Sequence, residues 1–244
     1  IYLILSPFDT YRYNEDFTRT VYSTANGGPI SNINQFFEST EVLQMCKDRM
    51  SWVINTVQSS AYSDAVLGYE VVNEWDSWEW TRVRDDANED AKIRTAFIGL
   101  LAAHVRSLDM NRLLLCPVTA IDPRGALAAS MLSTDTFDAL LPHLYLPGNR
   151  EPWNNPESFK GRAIVREQRR AIGWWTLNQL DRKPVLNGEW GPSDGWHPTP
   201  SKAQYISSFT EDDDNTLTRL LWFTELCSGA AGPGVRMQGG VRAY

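Results

Sequence analysis

The chain has 244 residues, 42% of them hydrophobic and 22% charged, enough for one domain of (β/α)-barrel size with a full core, and a composition that argues against disorder. A net charge of −7 offers no electrostatic attraction to nucleic acid or to an acidic membrane surface. Cys46, Cys116 and Cys227 show neither CxxC pairing nor histidine spacing, so zinc is not expected, and their odd number leaves buried free thiols as the expected state.

Residues 1–6 (IYLILS) form a short apolar run closed by Pro7, the pattern of a buried strand. The chain begins without Met and inside that strand, as a trimmed or partial chain does. A polar loop follows, through Asn26-Gly27-Gly28-Pro29. Over residues 39–57, Val42, Leu43, Met45, Met50, Val53, Ile54 and Val57 recur at helical period behind a Ser/Thr cap. Residues 66–73 read as the next strand. Residues 86–108 read as a second amphipathic helix with Ile93, Phe97, Leu100, Leu101 and Val105 on one stripe. A strand is expected over 113–118, stopped around Pro117, and another over 137–146. Further along come a long helix over 157–180, a strand over 184–188, a helix over 217–228 stopped by Gly229, and a last strand over 234–238. No apolar run reaches the roughly eighteen residues of a membrane span.

Strands alternating with helices imply an α/β fold with parallel strands joined by crossovers. The expectation is a single domain over 1–244: a (β/α)8 TIM barrel carrying barrel strands three to eight, with the first two strands and the last helix missing. An open α/β sheet is the alternative. Two of the strands run into a glutamate at their carboxyl ends, Gly-Tyr-Glu-Val-Val-Asn-Glu-Trp at 68–75 and Lys-Pro-Val-Leu-Asn-Gly-Glu-Trp-Gly at 183–191. In parallel barrels that end carries function, and two carboxyl groups are the minimum equipment for cleaving a glycosidic bond.

Three pieces of sequence resemble the clan of retaining (β/α)8-barrel glycoside hydrolases that includes the family 5 cellulases and β-mannanases. Asn73-Glu74 is similar to the clan's Asn-Glu at the end of strand four. Pro142-His143-Leu144-Tyr145 is similar to its His-x-Tyr on strand six. Gly188-Glu189-Trp190-Gly191, after Lys183-Pro184, is similar to its Glu-x-Gly region on strand seven. The resemblance implies that Glu74 is the general acid/base and Glu189 the nucleophile. It further implies that Asn73 binds the sugar 2-hydroxyl, that Tyr145 donates to Glu189, and that His143 contacts sugar hydroxyls. Trp75 and Trp190 each follow a proposed catalytic Glu, and Trp78 and Trp80 lie close behind. Tryptophan faces suit the CH faces of pyranose rings, so these are candidate subsite residues. Asp9 and Tyr11, after the first strand, are weaker candidates. The implied partner is a carbohydrate, with no metal or organic cofactor, and secretion suits an enzyme that degrades polysaccharide. Two clan features lack a counterpart: the arginine of strand two, and the sugar-stacking Trp of strand eight, expected near 235–238.

Other residues have blander readings. Glu70 reads as a buried structural acid in need of a cation. His104, within a helix, and His197, in a Pro-rich loop, read as structural or solvated. Trp174-Trp175 read as packing. Asp212-Asp213-Asp214 lack EF-hand spacing and read as a solvated turn before a helix. Two rival functions remain: a non-catalytic carbohydrate-binding or degenerate barrel, and an open-sheet hydrolase, against which the absence of a Gly-x-Ser-x-Gly elbow weighs.

Overall fold

The computed structural model describes residues 2–9, 13, 16–75, 87–119, 136–145, 184, 186 and 189–191. The segments expected at 157–180, 217–228 and 234–238 lie outside these residues, as do Tyr11, Trp78, Trp80, Trp174, Trp175, His197, Asp212–Asp214 and Cys227. The chain divides into two compact units, Ile1–Leu140 and Leu141–Tyr244.

In the first unit, strand β1 (Leu3–Leu5) leads through helix α1 (Thr40–Gln58) to β2 (Val66–Glu70), and helix α2 (Ala87–Leu108) leads to β3 (Leu113–Thr119). The pairings are parallel, with Ile4 opposite Gly68, Leu5 opposite Tyr69, and Gly68–Glu70 opposite Leu113–Leu115. Helical crossovers between neighbouring strands are what parallel pairing requires. Gly68 is needed for this approach, because a Cβ there would lie 2.3 Å from the Leu113 carbonyl oxygen. Strand β3 runs through the buried Pro117 rather than stopping at it.

Helix α1 begins where the Ser39 hydroxyl accepts the Val42 N–H at 3.2 Å, a side-chain N-cap. Its buried face is Val42, Cys46, Met50, Ile54 and Val57, spaced at one turn each. On α2 the inward face is Ala91, Arg94, Phe97, Ile98, Leu101, Ala102 and Val105. Leu100, expected on that stripe, lies on the opposite side and is 53% exposed, because the i, i+3, i+4 series that meets α1 and the loops is set by Phe97, Ile98 and Leu101. The loop before α1 packs its aromatics on this seam: Phe37 meets Phe97 edge-on at 5.3 Å, Phe36 meets Phe37 at 5.2 Å, and Tyr22 meets Phe36 at 5.1 Å. Burial pushes the nearby Cys46 thiol up to about 12, an inert core residue. Cys46 and Cys116 are both buried.

Two aspartates fasten strands to helices. Asp109, just past α2 and buried, accepts from the N–H groups of Asn111 and Arg112, from Arg112 Nη1 at 2.7 Å and from Tyr69 Oη at 3.2 Å. Burial pushes its carboxyl upward, but Arg112 and the two backbone N–H groups outweigh that and hold it below its ordinary range. Asp138 binds β3 from both sides: its N–H donates to the Leu114 carbonyl and its carboxylate accepts the Leu114 N–H, each at 2.8 Å. Arg106 of α2 pairs with the same carboxylate. His104 is half-buried, its Nε2 2.8 Å from the Ser51 hydroxyl and 3.1 Å from the Lys47 carbonyl, a contact that joins α2 to α1.

Strand β4 (Ala139–Tyr145) runs into the second unit, where it pairs in parallel with β5 (Glu189–Gly191). The strand therefore contains Glu189, whereas the sequence pattern suggests that it ends just before it; Pro184 and Leu186 lie outside regular structure. Among the described residues no helix is long and apolar enough to cross a membrane, and no three His, Cys, Asp or Glu side chains cluster as metal ligands.

Two outcomes follow from this packing. Leu101→Ala is expected to lower unfolding free energy by about 2–5 kcal/mol in urea titrations, whereas Leu100→Ala stays within roughly 0.5 kcal/mol of the native chain. Equal costs at the two positions would contradict the orientation of α2. Asp109→Asn is expected to cost about 1.5–3 kcal/mol near neutral pH. Because the folded carboxyl titrates below its ordinary value, its contribution is present above that value and fades as pH falls through the folded one. The variant and the native chain should therefore converge in stability on acidification, and a gap that persists below both values would refute the ion-pair account.

Candidate active site

The end of β2 is where the first unit departs from regular structure. The strand closes at Glu70, three residues earlier than the apolar pattern suggests, and Val71 and Val72 continue fully buried. Asn73 is then caught by the chain leaving β1. Its N–H donates to the Phe8 carbonyl at 2.9 Å, and Asp9 and Asn73 form an isolated parallel bridge. The Asn73 Nδ2 donates to Asp9 Oδ1 at 3.2 Å. A carboxylate only accepts, so this contact fixes which way the amide faces. Asn73 is 1% exposed and Asp9 half-buried, so the pair is part of the wall of the unit.

Glu74 comes next with φ of +48°, the one non-glycine in the left-handed region among the described residues. An L-residue pays about 1–2 kcal/mol for that conformation, and such residues persist only where their surroundings over-determine them. The surroundings here are specific. On one side Asn73 is tied to Phe8 and Asp9. On the other the Trp75 carbonyl accepts Arg94 Nη1 at 2.8 Å. Arg94 is fully buried and its Nε pairs with Asp90 Oδ2 at 2.8 Å, while its guanidinium lies 5.1 Å over the Phe37 ring. The Glu74 side chain is half-buried, at the carboxyl end of a parallel strand. Its placement suits a group that must meet a ligand without being fully solvated.

Trp75 differs from its expected subsite role. It is 1% exposed, and the turn at Glu74 carries it into the core, so it is a packing residue. Its indole Nε1 has no hydrogen-bond partner among the described residues. Glu70, expected to face inward with Glu74 along one regular strand, is half-buried, and the left-handed turn breaks that alternation. Asp90 and Arg94 are residues that periodicity alone passes over. The available signal is two opposite charges one turn apart inside the otherwise apolar stripe of α2.

In the second unit the β4–β5 register sets His143 beside Glu189, Leu144 beside Trp190 and Tyr145 beside Gly191. The expected residues thus fall into two groups: Asp9, Asn73, Glu74 and Trp75 in the first unit, and His143, Tyr145, Glu189 and Trp190 in the second.

No protein-family model and no curated sequence matches the chain. Solved structures do match in fold. The endo-1,4-β-mannanase from Rhizomucor miehei aligns with a TM-score of 0.62 at 17% identity, covering 96% of this chain and 62% of that one. The hyperthermostable endo-1,4-β-D-mannanase from Thermotoga petrophila RKU-1 aligns at 0.61 and 17% identity, covering 100% and 66%. A β-glucuronidase from Bacteroides uniformis aligns at 0.56 and 10% identity, covering 81% of this chain but 21% of its own. These neighbours are TIM-barrel glycoside hydrolases, and the chain shares their type of fold over part of their length. At such identities the likeness is one of fold, and function has to be argued from the site.

The strain at residue 74 gives a direct test. Glu74→Gly removes the steric cost of the left-handed conformation and adds back part of it as unfolded-chain entropy. It is expected to be neutral or to stabilise by up to about 1 kcal/mol in urea unfolding, while Glu74→Ala gives no gain. A Gly variant clearly less stable than the Ala variant would mean that the turn is not strained.

Proposed function

We propose that the chain is a single catalytic domain, residues 1–244, of a retaining glycoside hydrolase that cleaves β-linked polysaccharide or oligosaccharide of the mannan or cellulose type. What carries this reading is Glu74: a half-buried carboxyl held in a strained conformation at the carboxyl end of a parallel strand, directly after an Asn73 locked to Asp9. The fold likeness to two endo-β-mannanases over nearly the whole chain agrees with it. In this reading β1 to β5 correspond to barrel strands three to seven.

The chemistry assigned to the two carboxyls is double displacement. The Glu189 carboxylate attacks the anomeric carbon while the protonated Glu74 gives its proton to the departing glycosidic oxygen, leaving a glycosyl ester on Glu189. The Glu74 carboxylate then takes a proton from water, which attacks the same carbon and releases Glu189. Asn73 would bind the 2-hydroxyl, a contact that tightens in the transition state. Tyr145 would donate to Glu189, and His143, adjacent to it in register, would contact sugar hydroxyls. Trp190 is the remaining described candidate for ring stacking, and Asp9 acts through Asn73. Neither metal nor organic cofactor takes part in this scheme.

Glu189→Gln is expected to abolish covalent trapping by a fluorinated mannobioside read by intact-protein mass spectrometry, and persistent labelling at the native rate would contradict the nucleophile assignment. Glu74→Ala is expected to lose about 10²–10⁴-fold in kcat/KM on mannan oligosaccharide and much less on an activated aryl glycoside. Equal losses on both substrates would remove Glu74 from the acid role, and sugar binding without turnover by the native chain would favour a non-catalytic barrel.

A further inference from the structure

A buried ion pair such as Asp90–Arg94 is weak evidence of stabilisation. Both side chains are essentially without exposed surface, at 2% and 0%. Taking two charges out of water is costly, and buried pairs of this kind are often matched or bettered by apolar residues of the same volume. The surrounding stripe of Ala91, Ile98, Leu101 and Ala102 would accept such residues readily. What an apolar pair could not do is hold a carbonyl. Arg94 is forked, so Nε can stay on Asp90 while Nη1 reaches the Trp75 carbonyl at 2.8 Å. That carbonyl belongs to the residue immediately after the strained Glu74, whose other neighbour is pinned to Phe8 and Asp9.

We infer that Arg94, oriented by Asp90, is the positioning residue for Glu74, clamping the Trp75 carbonyl so that the left-handed turn and the carboxyl it carries keep one geometry. The inference rests on the acid/base reading of Glu74 given above. With one flank of the turn released, the backbone at residue 74 can relax toward the conformations that an L-residue ordinarily prefers. The carboxyl then moves relative to the leaving oxygen, and displacements of about 1 Å in reacting groups can cost on the order of 100-fold in rate.

The test uses the double variant Asp90→Leu/Arg94→Met, which removes both buried charges at nearly constant volume, alongside Glu74→Ala. Substrates are mannan oligosaccharide and a dinitrophenyl β-mannobioside, the latter with and without azide, a nucleophile that needs no general base. The double variant is expected to unfold at or above the native temperature yet lose about 10- to 100-fold in kcat on the oligosaccharide. The basic limb of its pH profile should shift, and azide should restore turnover of the aryl glycoside, as it does for Glu74→Ala. Native kinetics in the double variant, beside an azide-rescued Glu74→Ala, would overturn the clamp and leave the acid/base reading intact. An azide-insensitive Glu74→Ala would overturn the acid/base reading and the clamp with it. Should the double variant not fold, Arg94→Lys keeps the buried cation on Asp90 without the second donor. The same azide-rescued loss is expected of it, and native kinetics or failure to fold would reduce the pair to a structural role.

Discussion

A fully buried guanidinium has to find partners inside the protein, and among the described residues Arg94 finds them on three different parts of the chain. Its carboxylate partner is one turn back on its own helix, its carbonyl partner follows β2, and the ring beneath it belongs to the loop before α1. An unpaired charge at that depth would cost several kcal/mol, so moving any one of these partners away from the guanidinium is penalised. The aromatic seam of Phe36, Phe37 and Phe97 closes around the same point, which makes α2 the element that fixes both the core and the end of β2.

Seen from the sheet, the strand ends are tied by unlike means. The entrance to β3 and the start of β4 depend on carboxylates: Asp109 gathers Tyr69 and Arg112, and Asp138 grips both polar groups of Leu114. The exit of β2 instead depends on a backbone out of its usual range, held by a neighbouring loop and a helix. Ties of the first kind stabilise the fold. The second kind spends stability on the geometry of one side chain, which is the pattern of a functional position.

Much of this was open to sequence reasoning because it follows from apolar period. The Ser39 cap and the face of α1, the extents of β1 and β2 to within a few residues, and the helix at 87–108 all come from spacing and capping chemistry. The Asn73-Glu74 motif is legible in the sequence, and the structure adds the tie to Asp9 and the positive φ. Other features were not legible. The early end of β2 and the burial of Trp75 depend on a turn that no residue type announces, since Glu is a poor resident of the left-handed region. The rotation of α2 is not legible at Leu100, because an apolar residue outside the buried face reads the same in sequence as one on it until its partners are known. Arg94 is illegible for the converse reason: charge in a helix ordinarily faces solvent, and only tertiary contact reveals it as core.

In the proposed reaction, Glu74 and Glu189 cleave a β-glycosidic bond with two successive inversions at one carbon. Proton NMR of the first product released from a β-mannan oligosaccharide reads this directly, before the sugar mutarotates. The account predicts that the β-anomer appears first and the α-anomer grows in only at the mutarotation rate. Initial release of the α-anomer would mean single displacement by water and would contradict the assignment of Glu189 as nucleophile.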